Sequence, residues 1–219
     1  MRIDSFIRKI KWYHNKHGWA KLVSLAAMNI RDRMNKKEYM YCLDLNTLEF
    51  DNTIKKSGVT VESFNKELDI PANDMEQLIT LKSKEILLPF LNKFFNRGAT
   101  IWLAKKDGCI VGLVWSLNGG FNGFWMGMPI CPHDTIMIAG ETFPEFRGRN
   151  YFAIMIILIC EKLKLTGTSR AYGASHINNM ASQKAQSKIW KRVGAVRYCQ
   201  LRNWHIAVWD KKLLMIDFK

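Results

Sequence analysis

Residues 143–152 read Phe-Pro-Glu-Phe-Arg-Gly-Arg-Asn-Tyr-Phe and bring two arginines and a glycine into one short segment. An apolar stretch over residues 135–142 predicts a strand before this segment, and another over residues 152–165 predicts a helix after it. A tight turn from strand to helix directs several backbone N–H groups to one point, beside the positive end of the helix dipole. Arg147 and Arg149 add charge and paired donors for phosphate oxygens. The segment therefore predicts an anion site that is best suited to a pyrophosphate.

The same segment resembles the acyl-CoA loop of the GNAT superfamily, the GCN5-related N-acyltransferases, whose pattern is Arg/Gln-x-x-Gly-x-Gly/Ala. Arg147, Gly148 and Arg149 fit this pattern, whereas the two later glycine positions fall on Asn150 and Phe152. Asparagine tolerates a left-handed backbone better than most residues, so Asn150 is predicted to replace its glycine. The resemblance implies that acyl-CoA is bound by the whole loop: Arg147, Gly148, Arg149, Asn150, Tyr151 and Phe152. The alternative is a basic strand–helix turn in another kind of α/β domain.

A second segment extends the resemblance. Residues 170–174 predict a strand, and residues 183–193 predict a helix. GNAT cores end with a strand, Asn-x-x-Ser/Ala, a helix and Lys-x-Gly-Phe, and residues 179–182 and 191–195 match these parts in order. The spacing is longer than the family's by roughly one helical turn. Either Asn179 is the matching residue and the helix is longer, or Gln183 takes its place.

The resemblance also assigns roles to residues of this second segment. Asn179 and Ser182 are predicted to bind the pantetheine arm or the phosphates of acyl-CoA; alternatively they cap the following helix, as Asn and Ser commonly do. The tyrosine that protonates the leaving thiolate in many members falls at Trp190. An indole has no proton to give at neutral pH, so that role passes to another group or to water.

The resemblance implies a GNAT domain of α/β (α+β) class over residues 38–219, in which helices flank a mixed, twisted sheet. Further strands are expected over residues 38–45, 100–104, 110–117, 196–201 and 204–209, with an Asp-Gly turn in the first hairpin. Helices are expected over residues 60–68 and 73–97, interrupted at Pro71 and Pro89, with Gly98 as a stop.

N-acyl transfer requires a base or a water relay for the amine, a donor for the thioester oxygen and a proton for the thiolate. Glu141 is the preferred base, because it lies near the end of the strand before the loop, where the sheet is expected to splay open around the thioester. Strict alternation would place Glu141 on the same strand face as Met137. The alternative is an ion pair between Glu141 and Arg147 or Arg149.

His176 is the second catalytic candidate, as a proton relay at the end of the following strand; alternatively it satisfies a loop carbonyl. Weaker candidates share an ionisable side chain near the predicted sheet: His133, Asp134, Tyr172 and Tyr198, the two tyrosines as thiolate donors. The acceptor wall is predicted from aromatic residues around a glycine-rich turn: Phe121, Phe124 and Trp125, with Trp102 and Trp115 assigned to the core by default.

Charge is distributed unevenly within a net charge of +14. Residues 1–40 carry +7, residues 41–142 carry −3 and residues 143–219 carry +10. A positive field at the predicted site attracts acyl-CoA and a pyrophosphate-bearing acceptor. Nucleic-acid binding also favours basic chains, but no nucleic-acid motif is visible, and no nucleic-acid partner is expected.

Five scattered cysteines without Cys-x-x-Cys indicate a reducing compartment, so we expect a cytoplasmic protein without a metal site. Residues 1–37 predict a basic amphipathic helical extension. It either contacts an anionic membrane face, or packs on the core or on a second subunit in a homodimer.

Within the superfamily, the resemblance is nearest to bacterial enzymes that acylate nucleotide-linked amino sugars for surface polysaccharides. It implies transfer from acyl-CoA to an acceptor such as a dTDP-linked amino-dideoxyhexose. Two other functions stay open. One is acetylation of a protein or a small amine, and the other is a GNAT-like module that binds coenzyme A without catalysis.

Overall fold

The computed structural model describes residues 36–48, 57–119, 124–125, 128–201 and 204–209. The predicted extension over residues 1–37 lies outside these ranges except for its last two residues, which begin the first strand. The glycine-rich turn at residues 120–123 also lies outside them. Among the described helices, none has both the length and the apolar character that a membrane span requires.

Within the described ranges, strands and helices alternate in an α/β arrangement. The strands are β1 (Lys36–Asp44), β2 (Val59–Phe64), β3 (Thr100–Lys106), β4 (Cys109–Asn118), β5 (Phe124–Trp125), β6 (Met128–Pro129), β7 (Asp134–Thr142), β8 (Arg170–His176), β9 (Lys191–Leu201) and β10 (Trp204–Trp209). The α-helices are α1 (Ala72–Lys82), α2 (Lys84–Phe95), α3 (Tyr151–Leu165) and α4 (Met180–Gln186).

Eight of the described strands form one sheet in the order β10-β9-β1-β8-β7-β4-β3-β2, and β5 and β6 pair in a second, two-stranded sheet. Strands β7 and β8 are parallel, and the other neighbours in the sheet are antiparallel. Helix α3 packs on one face of this sheet, which we call the α3 face. Helices α1 and α2 pack on the opposite face. The predicted mixed sheet with flanking helices is confirmed.

The predicted hairpin between β3 and β4 is confirmed, and its turn shows why the sequence predicts it. Asp107 and Gly108 both have positive φ, at 51° and 79°. Two positive φ values in succession make the turn whose twist matches that of the flanking strands. The pairing of β9 with β10 is confirmed as well.

One predicted helix is wrong, and another ends earlier than predicted. Residues 60–68 were predicted helical, but β2 pairs with β3, and its buried Val59 and Val61 alternate with an exposed Thr60. The helix predicted to reach residue 193 ends at Gln186, because Lys191 already pairs with β1. In both cases pairing with a neighbouring strand overrides the local pattern.

The predicted long helix over residues 73–97 is divided, but not at Pro89. Ser83, with φ of 62°, separates α1 from α2, whereas Pro89 lies inside α2. Gly98 follows the end of α2 with φ of 70°, as a helix stop requires.

Candidate active site

The parallel strands β7 and β8 diverge part-way along their length. They pair from Asp134 with Arg170 to Met137 with Gly173. Beyond that point β7 continues to Thr142 and β8 to His176 without further pairing to each other. The sheet therefore opens into a V between its two halves.

A bulge in β7 lies directly at this divergence. Opposite β4, Ile138 pairs with Trp115 and Glu141 with Leu113, so Ala139 and Gly140 together face the single residue Val114. Ala139 has φ of 50°, which is left-handed for a residue with a side chain. A bulge leaves backbone groups outside the regular ladder and re-aims the strand.

The bulge also reverses the predicted alternation of β7. Met137 packs in the core on the α3 face. Glu141 forms an ion pair with Lys82 of α1 and therefore lies on the opposite face. The prediction that strict alternation places Met137 and Glu141 on one face is wrong, because the extra residue shifts the period by one position.

A cavity of about 300 Å³ fills the V. From the α3 face it is lined by residues of α3, of α4 with its N-cap, and of the turn after α4: Phe152, Ile156, Asn179, Ser182, Gln186 and Trp190. From the opposite face it is lined by Glu38 and Trp125. The ends of β7 and β8 form its sides, so residues from both faces of the sheet meet in one cavity. We call this cavity the cleft.

The predicted anion site lies in the segment that leads from β7 into α3. We call residues 147–150 of this segment the anion loop. Gly148 has φ of 79°, and Asn150, with φ of 61°, is left-handed at the N-cap of α3. The prediction that Asn150 takes the conformation of a glycine is confirmed. Arg147 donates from Nε to the carbonyl oxygen of Thr142 at 3.1 Å, and Lys188 donates from Nζ to Asn150 Oδ1 at 3.1 Å. Lys188 is thus a further cation at the loop. Its place there was not predicted from the sequence.

The remaining loop residues are arranged around the start of α3. The first backbone N–H groups of any α-helix have no partner within the helix. Tyr151 lies beside Phe146, with ring centroids 6.5 Å apart, and this contact anchors the loop to the core. The ring of Phe152 lies close to Gly140, since a Cβ there would be 3.1 Å from Phe152 Cε2.

Three buried polar atoms on the α3 side of the cleft have no hydrogen-bond partner: Ser175 Oγ, Gln186 Oε1 and Trp190 Nε1. Their residues are 5%, 8% and 5% exposed. The amide nitrogen of Gln186 does have partners, donating to the carbonyl oxygen of Ala174 at 3.3 Å and to Ser182 Oγ at 3.3 Å. An unsatisfied buried polar group costs about 1–3 kcal/mol, so these atoms are typical of a site completed by a ligand.

Asn179 and Ser182 have structural partners as well as positions at the cleft. Asn179 Oδ1 accepts from the backbone N–H of Ser182 at 3.1 Å and so caps α4. Gln183 does not take the capping position. It donates instead to the carbonyl oxygens of His176 and Ile177, which ties α4 to the end of β8.

His176 lines the cleft at the end of β8. Its Nδ1 accepts a hydrogen bond from the backbone N–H of Asn178 at 3.2 Å. The lone pair of the neutral imidazole is therefore engaged, and the ring proton lies on Nε2. In this tautomer His176 is a hydrogen-bond donor through Nε2.

The weaker candidates Asp134, Tyr172 and His133 lie away from the open end of the V. Asp134 pairs with Arg170 at the closed end. Burial raises the pKa of Tyr172, whose hydroxyl contacts the Cys42 thiol in a second cavity. The carbonyl oxygen of His133 accepts from the backbone of Ser169. The side chains of Tyr198, Phe121 and Phe124 lie outside the described residues.

The three described tryptophan candidates lie where they were predicted, two in the core and one at the cleft. Trp115 is buried and stacks on Phe94, with ring centroids 4.8 Å apart, and Trp102 donates to Ser116 inside the core. Trp125 instead lines the cleft. Among the described residues, no group of three or more His, Cys, Asp or Glu side chains is placed to hold a metal ion.

Glu38 is a site residue that sequence reasoning missed. It lies on β1, opposite His176 of β8, and lines the cleft. No local signal in the sequence indicates this role, because β1 reaches the site only through pairing with β8, more than a hundred residues away along the chain.

Comparison with solved structures identifies the architecture. A GCN5-related glucosamine N-acetyltransferase region in a fungal multi-domain GH3 β-N-acetylglucosaminidase superposes with a TM-score of 0.55 and 11% identity, covering 82% of this chain and 22% of that one. The chain has the GNAT fold. A putative GNAT acetyltransferase from Novosphingobium aromaticivorans superposes with a TM-score of 0.50 and 15% identity, covering 74% of this chain and 62% of that one.

The GNAT-fold chain spans less than two thirds of each of these two neighbours. No protein-family model matches its sequence, and no curated protein matches it. The neighbours therefore show the fold alone. A proposal for the reaction has to be argued from the residues of the cleft.

Proposed function

We propose that this GNAT-fold protein transfers an acyl group from acyl-CoA to the primary amine of an amino sugar, with a nucleotide-linked amino sugar as the expected acceptor. The observation that carries the proposal is the cleft, which opens between β7 and β8 and has residues of both sheet faces in its walls. Such a cleft lets a donor enter from the α3 face and an acceptor from the opposite face. Thioester and amine then meet within the sheet.

The α3 side of the cleft fits the donor. The unpartnered atoms there are two donors, Ser175 Oγ–H and Trp190 Nε1–H, and one acceptor, Gln186 Oε1. The pantetheine arm of coenzyme A contains amides, which supply the complementary C=O and N–H groups. Asn179 and Ser182 complete this wall.

The anion loop fits the pyrophosphate of the donor. Arg147, Arg149 and the start of α3 provide cationic side chains and free backbone N–H groups. Gly148 supports this role, because no atom lies within 4 Å of the position a Cβ would occupy. A phosphate therefore has open space to approach the backbone there.

The bulge provides the environment in which the thioester reacts. We expect a backbone N–H of the bulge, at Ala139 or Gly140, to donate to the thioester oxygen as it gains negative charge. The neutral amine attacks the carbonyl carbon, the C–S bond breaks, and coenzyme A leaves as the thiol. Glu141, the base predicted from sequence, is held by Lys82 in an ion pair.

Three observations support an amino sugar as the acceptor. Trp125 supplies an aromatic surface on the acceptor side, and such a surface suits the apolar face of a sugar ring. Residues 143–219 carry a net charge of +10, which favours an anionic nucleotide over a cationic peptide. The fungal neighbour is itself described as a glucosamine N-acetyltransferase region.

The test is a transfer assay with acetyl-CoA and longer acyl-CoAs, followed by mass spectrometry of the products. Three acceptors are compared at equal concentration: a nucleotide-linked amino sugar, the matching free amino sugar, and a lysine-rich peptide. We expect the nucleotide-linked sugar to react fastest, because remote binding energy positions the amine. Its KM should rise with ionic strength, since attraction between charges is screened by salt.

Each other outcome has a definite meaning. Preference for the peptide would show that the assigned acceptor class is wrong. Stoichiometric coenzyme A binding without transfer to any amine would show a binding module without catalysis.

A further inference from the structure

Strand β1 places N-terminal residues in the middle of the site. Although it comes first in the described chain, it lies between β8 and β9 in the sheet. It pairs antiparallel with β8, from Glu38 opposite His176 to Asp44 opposite Arg170. Residues near the start of β1 therefore lie beside the open end of the V.

The side chain of Glu38 points to the acceptor side of the sheet. Its neighbour Tyr39 packs towards the core on the α3 face, and successive side chains in a strand alternate between faces. Residues that are directly opposite in an antiparallel pair share a face and have Cβ atoms about 4.5–5.5 Å apart. Glu38 and His176 are thus neighbours on the face that also presents Trp125.

The cleft contains few groups that are able to accept a proton. Among the described residues in its lining, Glu38 is the carboxylate and His176 is the imidazole, whereas Glu141 is not part of the lining. The lone pair of His176 is already engaged by the backbone of Asn178. Glu38 is therefore the lining residue with the chemistry of a base.

We propose that Glu38 is the catalytic base for the acceptor amine, and that it enters the site from an N-terminal strand. This inference rests on the proposed acyl transfer. The substrate ammonium gives one proton to the Glu38 carboxylate and becomes a neutral amine. The amine attacks the thioester carbon, the new C–N bond forms, and the C–S bond breaks as the second amine proton passes to the leaving sulfur. Glu38 then releases its proton to solvent.

His176 has a positioning role in this arrangement. With its proton on Nε2, it is a donor beside the Glu38 carboxylate and the acceptor site. Gln183 fixes the backbone of His176 through its carbonyl oxygen at 3.1 Å. These two hydrogen bonds hold His176 in a fixed position beside Glu38, and His176 in turn positions the acceptor.

The experiment compares Glu38→Gln, Glu141→Gln and wild type in the transfer assay with the best acceptor. Glu67→Gln is the matched control, since Glu67 is exposed in a short 3-10 helix away from the cleft. Loss of a general base lowers kcat by about 10²- to 10⁴-fold, and we expect this for Glu38→Gln. Coenzyme A affinity should stay as in wild type, because the amide keeps the shape of the side chain.

The pH profile distinguishes a base from a structural residue. In Glu38→Gln, only the amine that is already neutral reacts, so the rate should rise about tenfold per pH unit below the pKa of the amine. Wild type should show a weaker dependence over the same range. Glu38→Asp keeps a carboxylate at a shorter reach and should retain more activity than Glu38→Gln.

Contrary outcomes separate the two proposals. An active wild type with unchanged kcat in Glu38→Gln would overturn the role of Glu38 and leave acyl transfer standing. A loss of kcat in Glu141→Gln alone would give the role to Glu141. A wild type that transfers to no amine would overturn acyl transfer and the role of Glu38 together.

Discussion

Replacing Asp134 with Asn tests how the closed end of the V is held. Asp134 is 2% exposed and accepts from Arg170 Nε at 3.0 Å and Nη2 at 3.2 Å. It also accepts from the backbone N–H of Cys131 at 3.1 Å. Because Asp134 and Arg170 are opposite each other at the start of the short parallel ladder, this ion pair joins the two strands at the closed end of the V.

The expected cost follows from the burial of the pair. Removing one partner of a buried ion pair destabilises a protein by about 3–5 kcal/mol, because the other charge is left without compensation. The side chain of Arg170 keeps 20% of its exposure, so we expect the lower end, about 3 kcal/mol. In a chain of this size, that corresponds to a fall in Tm of about 6–12 °C.

The assay is thermal and urea unfolding of wild type, Asp134→Asn, and the double variant Asp134→Leu/Arg170→Met. The double variant removes both charges, so it should recover much of the lost stability. A change in Tm of less than about 2 °C for Asp134→Asn would refute the reasoning, since it corresponds to less than 1 kcal/mol.

Three further predictions concern the donor site and the core. Changing Arg147 and Arg149 together to Ala should weaken coenzyme A binding by about 2–4 kcal/mol, roughly 30- to 1,000-fold, and unchanged calorimetric affinity would exclude the loop as the phosphate site. Trp190→Phe removes the unpartnered indole N–H and should lower coenzyme A affinity about tenfold while the unfolding free energy falls by less than 1 kcal/mol; equal affinity would show that this N–H does not contact the donor. Burial raises the pKa of the Cys160 thiol from 9.0 to about 12, so the folded state favours the protonated thiol, and stability should fall as pH rises from about 9 towards 12. Urea unfolding of Cys160→Ala should show a shallower alkaline decline, and an equal slope would contradict this cause.

The parts of the fold that sequence predicts well have strong local signals. Asp107 and Gly108 mark the β3–β4 turn, and the long apolar stretch before Gly167 marks α3. Strand β2 was missed because its alternation is only six residues long, and its identity depends on pairing with β3.

The same distinction applies to the candidate site. The anion loop and Asn150 are evident in the sequence because a left-handed residue before a helix has a local signature. The bulge at Ala139 is not evident in the sequence, because a bulge is defined by the pairing of β7 with β4. For that reason the face of Glu141 was predicted incorrectly, and Glu38 was not predicted at all.

The most direct test of the central claim is a crystal structure of the protein with coenzyme A. We predict that the pyrophosphate contacts the loop from Arg147 to Asn150, and that the pantetheine arm runs between β7 and β8. Its amides should meet Ser175, Gln186 or Trp190, and its sulfur should lie beside the bulge at Ala139 and Gly140. Coenzyme A bound elsewhere, with the cleft between β7 and β8 empty, would contradict the proposed function.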